Sequence, residues 1–434
     1  MRKRLHSVLI ATALTASMAL VGCGSGGGGE ENTDNGSATE TTEESSGGGE
    51  LRVSTSANSG RPGLEAVAPI FEEKTGITVT TEFGDLGTDT YTSELMTKLQ
   101  SGSAPDIFAA YAGTGTSSPN IGTLSEAGSI MDLSDLEFAQ NMKGTALEDA
   151  VTIDGKVYAA CLGVQTSGII YNEDLFNEYG LSLPETWDDL LNLVAEIREV
   201  APDKTPIAFG GGNTSIAMIN TSMFVINQPE FTGDEGESVS FSESEAWRGA
   251  LDMLVELMDA GAFNQSASTD GSNEIVSMMA AGDAFMCIDL SSRYGAILRA
   301  DENCPIRFCA LPARNAEDTK MLLWPGTMAA VNVDTENPDG AKEFIEYITS
   351  EEGNNTWIEA AGGSEMSVSN FMDTSTWEGC YADQVDYAES AVMIPCITWP
   401  SSAVSNALGE GVAGILAGVY TVDDVLSSMD AAWE

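Results

Sequence analysis

The sequence predicts an α/β protein with a largely parallel sheet, on three observations. Short apolar runs alternate with segments of helical period from residue 51 to residue 111. The block from Asp154 to Leu191 sets a turn, an apolar strand and two capped helix starts in one line. Amphipathic helices at 244–258 and 273–281 are followed by a further apolar strand at 286–288. Strands that alternate with helical patterns argue for parallel pairing through crossovers.

The elements follow in order. Leu51 to Ser54 is a first strand, ending in the polar loop Thr55 to Gly63. Leu64 to Lys74 is a helix with Leu64, Val67, Ile70 and Phe71 on one face, stopped by Gly76. Ile77 to Thr80 is the second strand, Thr90 to Gln100 a helix closed by Gly102, and Ala104 to Phe108 leads a third strand into Tyr111. Asp154-Gly155 is a turn signal between Val151/Ile153 and Val157/Tyr158. Gly168 to Tyr171 reads as a buried strand, and Asn172 caps a short helix carrying Leu175, Phe176 and Tyr179. Thr186 is a natural N-cap, with Asp188 and Asp189 in the first turn that follows. A last helix is expected from Ala341 to Thr349.

The amino terminus carries a different signal. Arg2, Lys3 and Arg4 form a positive segment, and Val8 to Leu20 is apolar but short for a membrane span, which reads as a signal peptide over 1–22. Leu20-Val21-Gly22-Cys23 looks like a bacterial lipobox, so Cys23 is the expected lipidation site. Stable anchoring takes more than one acyl chain, and a lipidated, N-acylated cysteine would supply them. Residues 23–49 are Gly-, Ser-, Thr- and Glu-rich without an aromatic, the composition of a flexible tether.

Composition removes several chemistries. The one histidine is His6, inside the expected signal peptide, so Ser-His-Asp catalysis, Cys-His catalysis and His-based metal ligation are excluded from the mature chain. A net charge of -49 argues against nucleic acid and anionic lipid surfaces, whose binding depends on Lys and Arg. The acids are spread along the chain, as solubility requires. No calcium-loop pattern occurs, and Cys161, Cys287, Cys304, Cys309, Cys380 and Cys396 include no Cys-x-x-Cys pair, so no metal or cofactor is expected. Most of these cysteines are expected to act as small buried hydrophobes.

The run Asp154-Gly155-Lys156-x-Tyr158, then Tyr171-Asn172-x-Asp174-x-Phe176, then Gly180-Leu181-x-x-Pro184-x-Thr186-Trp187-Asp188-x-Leu190, resembles the signature of the family-1 extracellular solute-binding proteins, the sugar-type receptors of ABC importers. Phe71, Thr75 to Ile77, Val79, Leu99, Ser101-Gly102, Ala104 to Ile107 and Gly282 to Met286 match further family features, so the resemblance covers essentially 50–434. It is weakest at 206–232 and 359–393. The resemblance implies a two-lobed periplasmic-binding-protein-like fold (class II type), each lobe a mainly parallel sheet flanked by helices, with a hinge between lobes. It places the first lobe at 51–163 plus 283–314 and the second at 164–282 plus 315–434. It implies a monomeric receptor, not an enzyme, that closes on a carbohydrate and delivers it to ABC permease subunits from the outer face of the cytoplasmic membrane.

The resemblance makes Asn58, Ser59, Tyr111, Gln165, Asp289, Arg293, Tyr294, Trp324, Gly326 and Trp399 the candidate ligand contacts, at or near loops where the family usually places them. A sugar site needs aromatic platforms for ring faces and carboxylates, amides or Arg for hydroxyls, and this set has that mixture. Many members carry a sugar-stacking Trp after the strand at 286–288; the run here is Asp289 to Tyr294, and Tyr294 remains for that role. Plainer readings stand beside these. Asn58 suits an Asx turn, Tyr111 and Trp399 suit packing, and Arg293 suits a structural pair with Asp289, or else a bidentate clamp on an acidic sugar. Trp187 reads as packing. Two rival functions stay open: a receptor for a polyamine, phosphorylated polyol or peptide, and a surface glycoside hydrolase, since 67 acids always supply a carboxylate pair.

Overall fold

Two sheets organise the computed structural model, which describes residues 49–57, 60–84, 89–117, 119–362, 365, 383 and 391–433. Cys23, Asn58, Ser59 and Cys380 lie outside the described residues, as does the expected signal peptide and nearly all of the tether.

The first sheet starts with β1 (Glu50–Ser56), α1 (Arg61–Thr75), β2 (Thr78–Gly84), α2 (Asp89–Ser101) and β3 (Ile107–Ala110), in the alternation read from the sequence. Leu64, Val67, Ala68 and Phe71 form the buried face of α1, and Gly76 ends the helix in the left-handed region. Short helices α3 (Ile121–Glu126), α4 (Glu137–Met142) and α5 (Glu148–Val151) lead to β4 (Thr152–Ile153), β5 (Lys156–Val157) and β6 (Ala160–Cys161). Asp154 and Gly155 both take positive φ, 51° and 75°, so the expected turn is the hairpin type that matches strand twist.

The chain then enters the second sheet through β7 (Val164–Asn172), followed by α6 (Glu173–Tyr179), α7 (Trp187–Val200) and β8 (Thr205–Ala208). Thr186 caps α7 in a capping box with Asp189. Replacing Thr186 with Ala is expected to cost about 1 kcal/mol, read from urea unfolding midpoints. Next come α8 (Thr214–Ile226), α9 (Glu245–Asp259), α10 (Ser272–Ala280), β9 (Ala284–Leu290), α11 (Ser292–Ala300), β10 (Ile306–Cys309) and β11 (Met321–Pro325). The chain returns to the first sheet with β12 (Met328–Val331), α12 (Pro338–Thr349) and α13 (Glu351–Ala361). It rejoins the second with β13 (Ala391–Met393), α14 (Ser402–Leu416) and α15 (Val422–Trp433).

Strand order is β2-β1-β3-β12-β6 in one sheet and β13-β11-β7-β9-β8 in the other. One edge of β7 is shared: β11 pairs with its first half and β10 with its second. This pairing corrects the lobe division expected from the sequence. Residues 284–309, placed there with the first lobe, belong to the second sheet, where β9 bonds to β7 and β8. Residues 328–361, placed with the second lobe, belong to the first: β12 bonds to β3, and Phe344 of α12 meets Phe71 of α1 edge-on at 5.0 Å.

Each lobe has its own aromatic core. Gly63 gives α1 its close approach to α13, since a Cβ there would lie 2.4 Å from the Trp357 ring. In the second lobe Phe241, Trp247, Trp399 and Trp433 cluster with centroid separations of 5.6–5.7 Å. Trp187 is fully buried against Phe224, and its indole N–H donates to Glu256 at 2.6 Å, so it packs as expected. Cys161, Cys304, Cys309 and Cys396 are buried free thiols, and Cys287 is buried as well. No helix among the described residues is long and apolar enough to cross a membrane.

Candidate functional site

Strand direction fixes where the loops of both lobes meet. β6 ends at the first crossover, 162–163, and β7 begins there; β11 ends at the second, 326–327, and β12 begins there. The crossovers run side by side, with the Gly326 amide donating to the Gly163 carbonyl at 2.8 Å and Leu162 to Thr327 at 2.9 Å. β1, β2 and β3 are parallel and β12 runs against β3, so the carboxyl ends of all three point to this junction. β9 runs against β7 and parallel to β8, so both also end on the junction side. Open α/β sheets bind ligands beyond the carboxyl ends of their strands, and here two such edges face each other.

At the junction three expected site residues gather. Gln165 and Trp324 are register partners across β7 and β11, and Gly326 follows directly. Gln165 and Gly326 adjoin Glu365, a carboxylate with no solvent exposure that no local pattern singled out. Its Oε1 accepts from the Thr327 amide at 2.8 Å, the Thr327 hydroxyl at 2.9 Å and Gln165 Nε2 at 3.3 Å. Burial raises its pKa above the ordinary carboxylate value despite these donors. A Cβ on Gly326 would fall 2.7 Å from Glu365 Oε1, and one on Gly163 would fall 2.8 Å from Oε2.

At the end of β9, Asp289 is 1% exposed and both its oxygens are engaged. Oδ1 accepts from the Leu290 amide and Oδ2 from Arg293 Nε, each at 2.7 Å. Arg293 also donates to Ser272 Oγ at 2.8 Å, tying α11 to the start of α10. Burial pulls the Arg293 pKa down, but Asp289 outweighs it and holds it above its ordinary value. Asp289 and Arg293 thus pair with each other, the reading set beside a clamp on an acidic sugar. Tyr294, one residue on, is half-buried.

Beyond β3, Tyr111 is half-buried, and burial pushes its hydroxyl up to about 12. The loop it opens lies against the second lobe. Thr114 N donates to the Ile397 carbonyl at 2.9 Å, Thr114 Oγ1 donates to the Trp399 carbonyl, and Ser405 Oγ donates to the Gly115 carbonyl. Ser117 and Ser215, at the amino end of α8, meet at 3.0 Å. Trp399 is 3% exposed, its ring held in the cluster with Phe241 and Trp247.

A groove of about 530 Å³ opens beside this contact, lined among others by Thr114, Ser125, Asp154, Tyr158 and Ser401. Its size falls in the range of roughly 300–1,000 Å³ usual for small-molecule sites. Its walls carry hydroxyls, carboxylates and one aromatic ring, and they include none of the ten residues expected from the sequence. A second cavity, about 580 Å³, lies within the 230–245 segment of one lobe and touches neither crossover. One of its acids serves the loop itself: Glu235 accepts from the amides of Thr232 and Gly233. Among the described residues no group of three His, Cys, Asp or Glu side chains converges to hold a metal ion.

Comparison with known proteins gives a family and a fold. The family model described as bacterial extracellular solute-binding protein matches residues 57–355. The multiple sugar-binding protein of Streptococcus mutans serotype c is 25% identical over 265 residues, 59% of this chain; the match spans 61% of that protein's length. Among solved structures, an ABC transporter solute-binding protein from Thermotoga lettingae TMO, bound with α-D-tagatose, superposes with a TM-score of 0.71 at 21% identity, over 89% of this chain and 100% of the other. The GacH receptor of Streptomyces glaucescens GLA.O, solved unliganded and with acarbose, gives 0.72 at 17% identity, over 89% and 97%.

Proposed function

The chain belongs to the bacterial extracellular solute-binding proteins, and from that membership we propose that it captures a carbohydrate between its lobes and delivers it to an ABC permease. The observation that carries this reading is the convergence of the strand carboxyl ends of both lobes on one double crossover. Sugar is the class favoured, because the relatives are named for it: a multiple sugar-binding protein and receptors solved with tagatose and acarbose. No covalent step is needed. A ligand that touches both lobes stabilises the closed form by its differential affinity, and the permease reads that form.

Tyr111 and Tyr294, both half-buried, are proposed to offer ring faces from opposite lobes, with Gln165, Trp324 and Gly326 at the floor of the cleft. Asp289 and Arg293, paired with each other, are proposed to reach the cleft from the end of β9. Asn58 and Ser59 are proposed to approach from the loop after β1, and Trp399 to support the opposite rim. The lobes are proposed as 49–163 plus 326–362 and 164–325 plus 391–433. Residues 1–22 are proposed as a signal peptide, Cys23 as the lipidated residue and the segment to 49 as a tether to the outer face of the membrane, with a monomeric receptor at its end.

The test is a thermal-shift panel of tagatose, raffinose, stachyose, acarbose, uronic acids and polyamines. A ligand selective for the folded state stabilises it by about 2.7 kcal/mol at a hundred times its Kd, a rise of several degrees. A rise with one sugar series is the expected result. A rise with polyamines alone overturns the carbohydrate assignment and keeps the receptor, and no rise with any solute counts against both.

A further inference from the structure

Glu365 stands out among the buried groups that the proposed ligand site does not use. It is fully buried where the two crossover strands meet, and it is the described residue that grips both. Gln165 belongs to the first crossover and Thr327 to the second, and all three donors converge on Oε1. Gly163 and Gly326 leave room for its side chain, since a Cβ on either would stand within 2.8 Å of it. Separation of the lobes by rotation about 162–165 and 326–327 must therefore move Glu365 against at least one of its partners.

We propose that Glu365 is the positioning residue of the interlobe hinge: by tying Gln165 to Thr327 it holds the crossovers in one relative orientation, and gain or loss of its proton sets how readily the lobes part. This rests on the receptor reading for its consequence on affinity, but not for its effect on lobe separation.

The distribution of partners shows how the proton acts. No donor among the described residues meets Oε2 with full hydrogen-bond geometry, and the polar group beside the carboxyl is the indole N–H of Trp357. A neutral acid keeps its three bonds through Oε1 and carries the proton on Oε2. An ionised one places charge on an oxygen that, among the described residues, faces only the Trp357 indole N–H, and burial disfavours that state. The elements around it supply few charges to compensate. β6 contributes the Cys161 thiol, which burial pushes up to about 12, and α13 contributes Trp357 and Ile358. The sign follows: a carboxyl whose folded pKa is raised contributes stability that is present at low pH and lost as pH rises through that pKa. Ionisation therefore favours any arrangement that lets water into the junction, which parts the lobes and weakens ligand affinity.

Glu365→Gln and Glu365→Ala separate these effects. Gln keeps the Oε1 acceptor and cannot ionise; Ala removes the tie. The measurements are the radius of gyration of the ligand-free protein by small-angle scattering, and calorimetric affinity for raffinose or the panel sugar with the largest shift. Both are followed from about pH 5 to pH 8. For the wild type, affinity is expected to weaken at least about threefold and the radius to grow as pH rises; for E365Q both stay flat, and for E365A the lobes stay apart at every pH. Equal pH slopes in wild type and E365Q overturn the proposal, as does an E365A radius equal to that of the wild type. If E365A does not fold, the comparison with E365Q decides. If no sugar binds, the carbohydrate reading fails while the scattering curves still decide the hinge.

Discussion

Replacing Asp289 with Ala is expected to lower stability by about 3–5 kcal/mol, because it strands a charge in the second lobe. The Arg293 side chain is 11% exposed and its counter-ion 2%, so neither is solvated as it would be on the surface. With the carboxylate gone, the guanidinium keeps its bond to Ser272 Oγ but loses the charge that offset its burial, and the Leu290 amide loses its acceptor. Removing both partners tells whether the pair itself stabilises. The double variant Asp289→Leu with Arg293→Met leaves no uncompensated charge and is expected to recover most of the loss, within about 1–2 kcal/mol of the wild type. Urea unfolding midpoints of the two single variants and the double variant give the coupling energy. A small loss for Asp289→Ala alone would mean that Arg293 turns outward, and would return it to the cleft as a clamp for an acidic sugar.

The sequence made local chemistry legible and left distant pairing hidden. The capping box at Thr186 and the Asp154-Gly155 turn are read from neighbours a few residues away, and both appear as expected. Helix α8 escaped because ten of its residues from Ala217 to Ile226 are buried in unbroken succession, so it shows no polar face and no helical period. Strand β9 was recognised as a strand but assigned to the wrong lobe. All seven of its residues are buried, and such a run looks the same whichever sheet receives it. The site divides in the same way. Asp289 and Arg293 four residues on are neighbours in sequence, and their pairing was foreseeable. Glu365 bonds to Gln165, two hundred residues away, and an acid among 67 gives no sign that it is fully enclosed at a hinge.

Replacing Gly113 with Ala is expected to separate the loop after β3 from the second lobe, at a cost of at least about 2 kcal/mol. Two terms combine at this position. The backbone holds φ at 61°, which costs an L-residue about 1 kcal/mol or more. A Cβ would also stand 2.1 Å from the Ile397 carbonyl oxygen, which is main chain and cannot turn aside. That carbonyl accepts from the Thr114 amide, so the clash breaks the bond that docks the loop. Gly128 provides the control: its φ is 66°, but a Cβ there meets nothing within 4 Å, so Gly128→Ala carries the backbone term alone. The difference between the two variants in urea unfolding isolates the steric term. The loop also carries Tyr111, so displacement should weaken sugar affinity roughly tenfold or more in Gly113→Ala while Gly128→Ala binds as the wild type does. Equal losses in the two variants would show that the loop yields without strain, and that its contact with Ile397 and Trp399 does not hold the lobes in register.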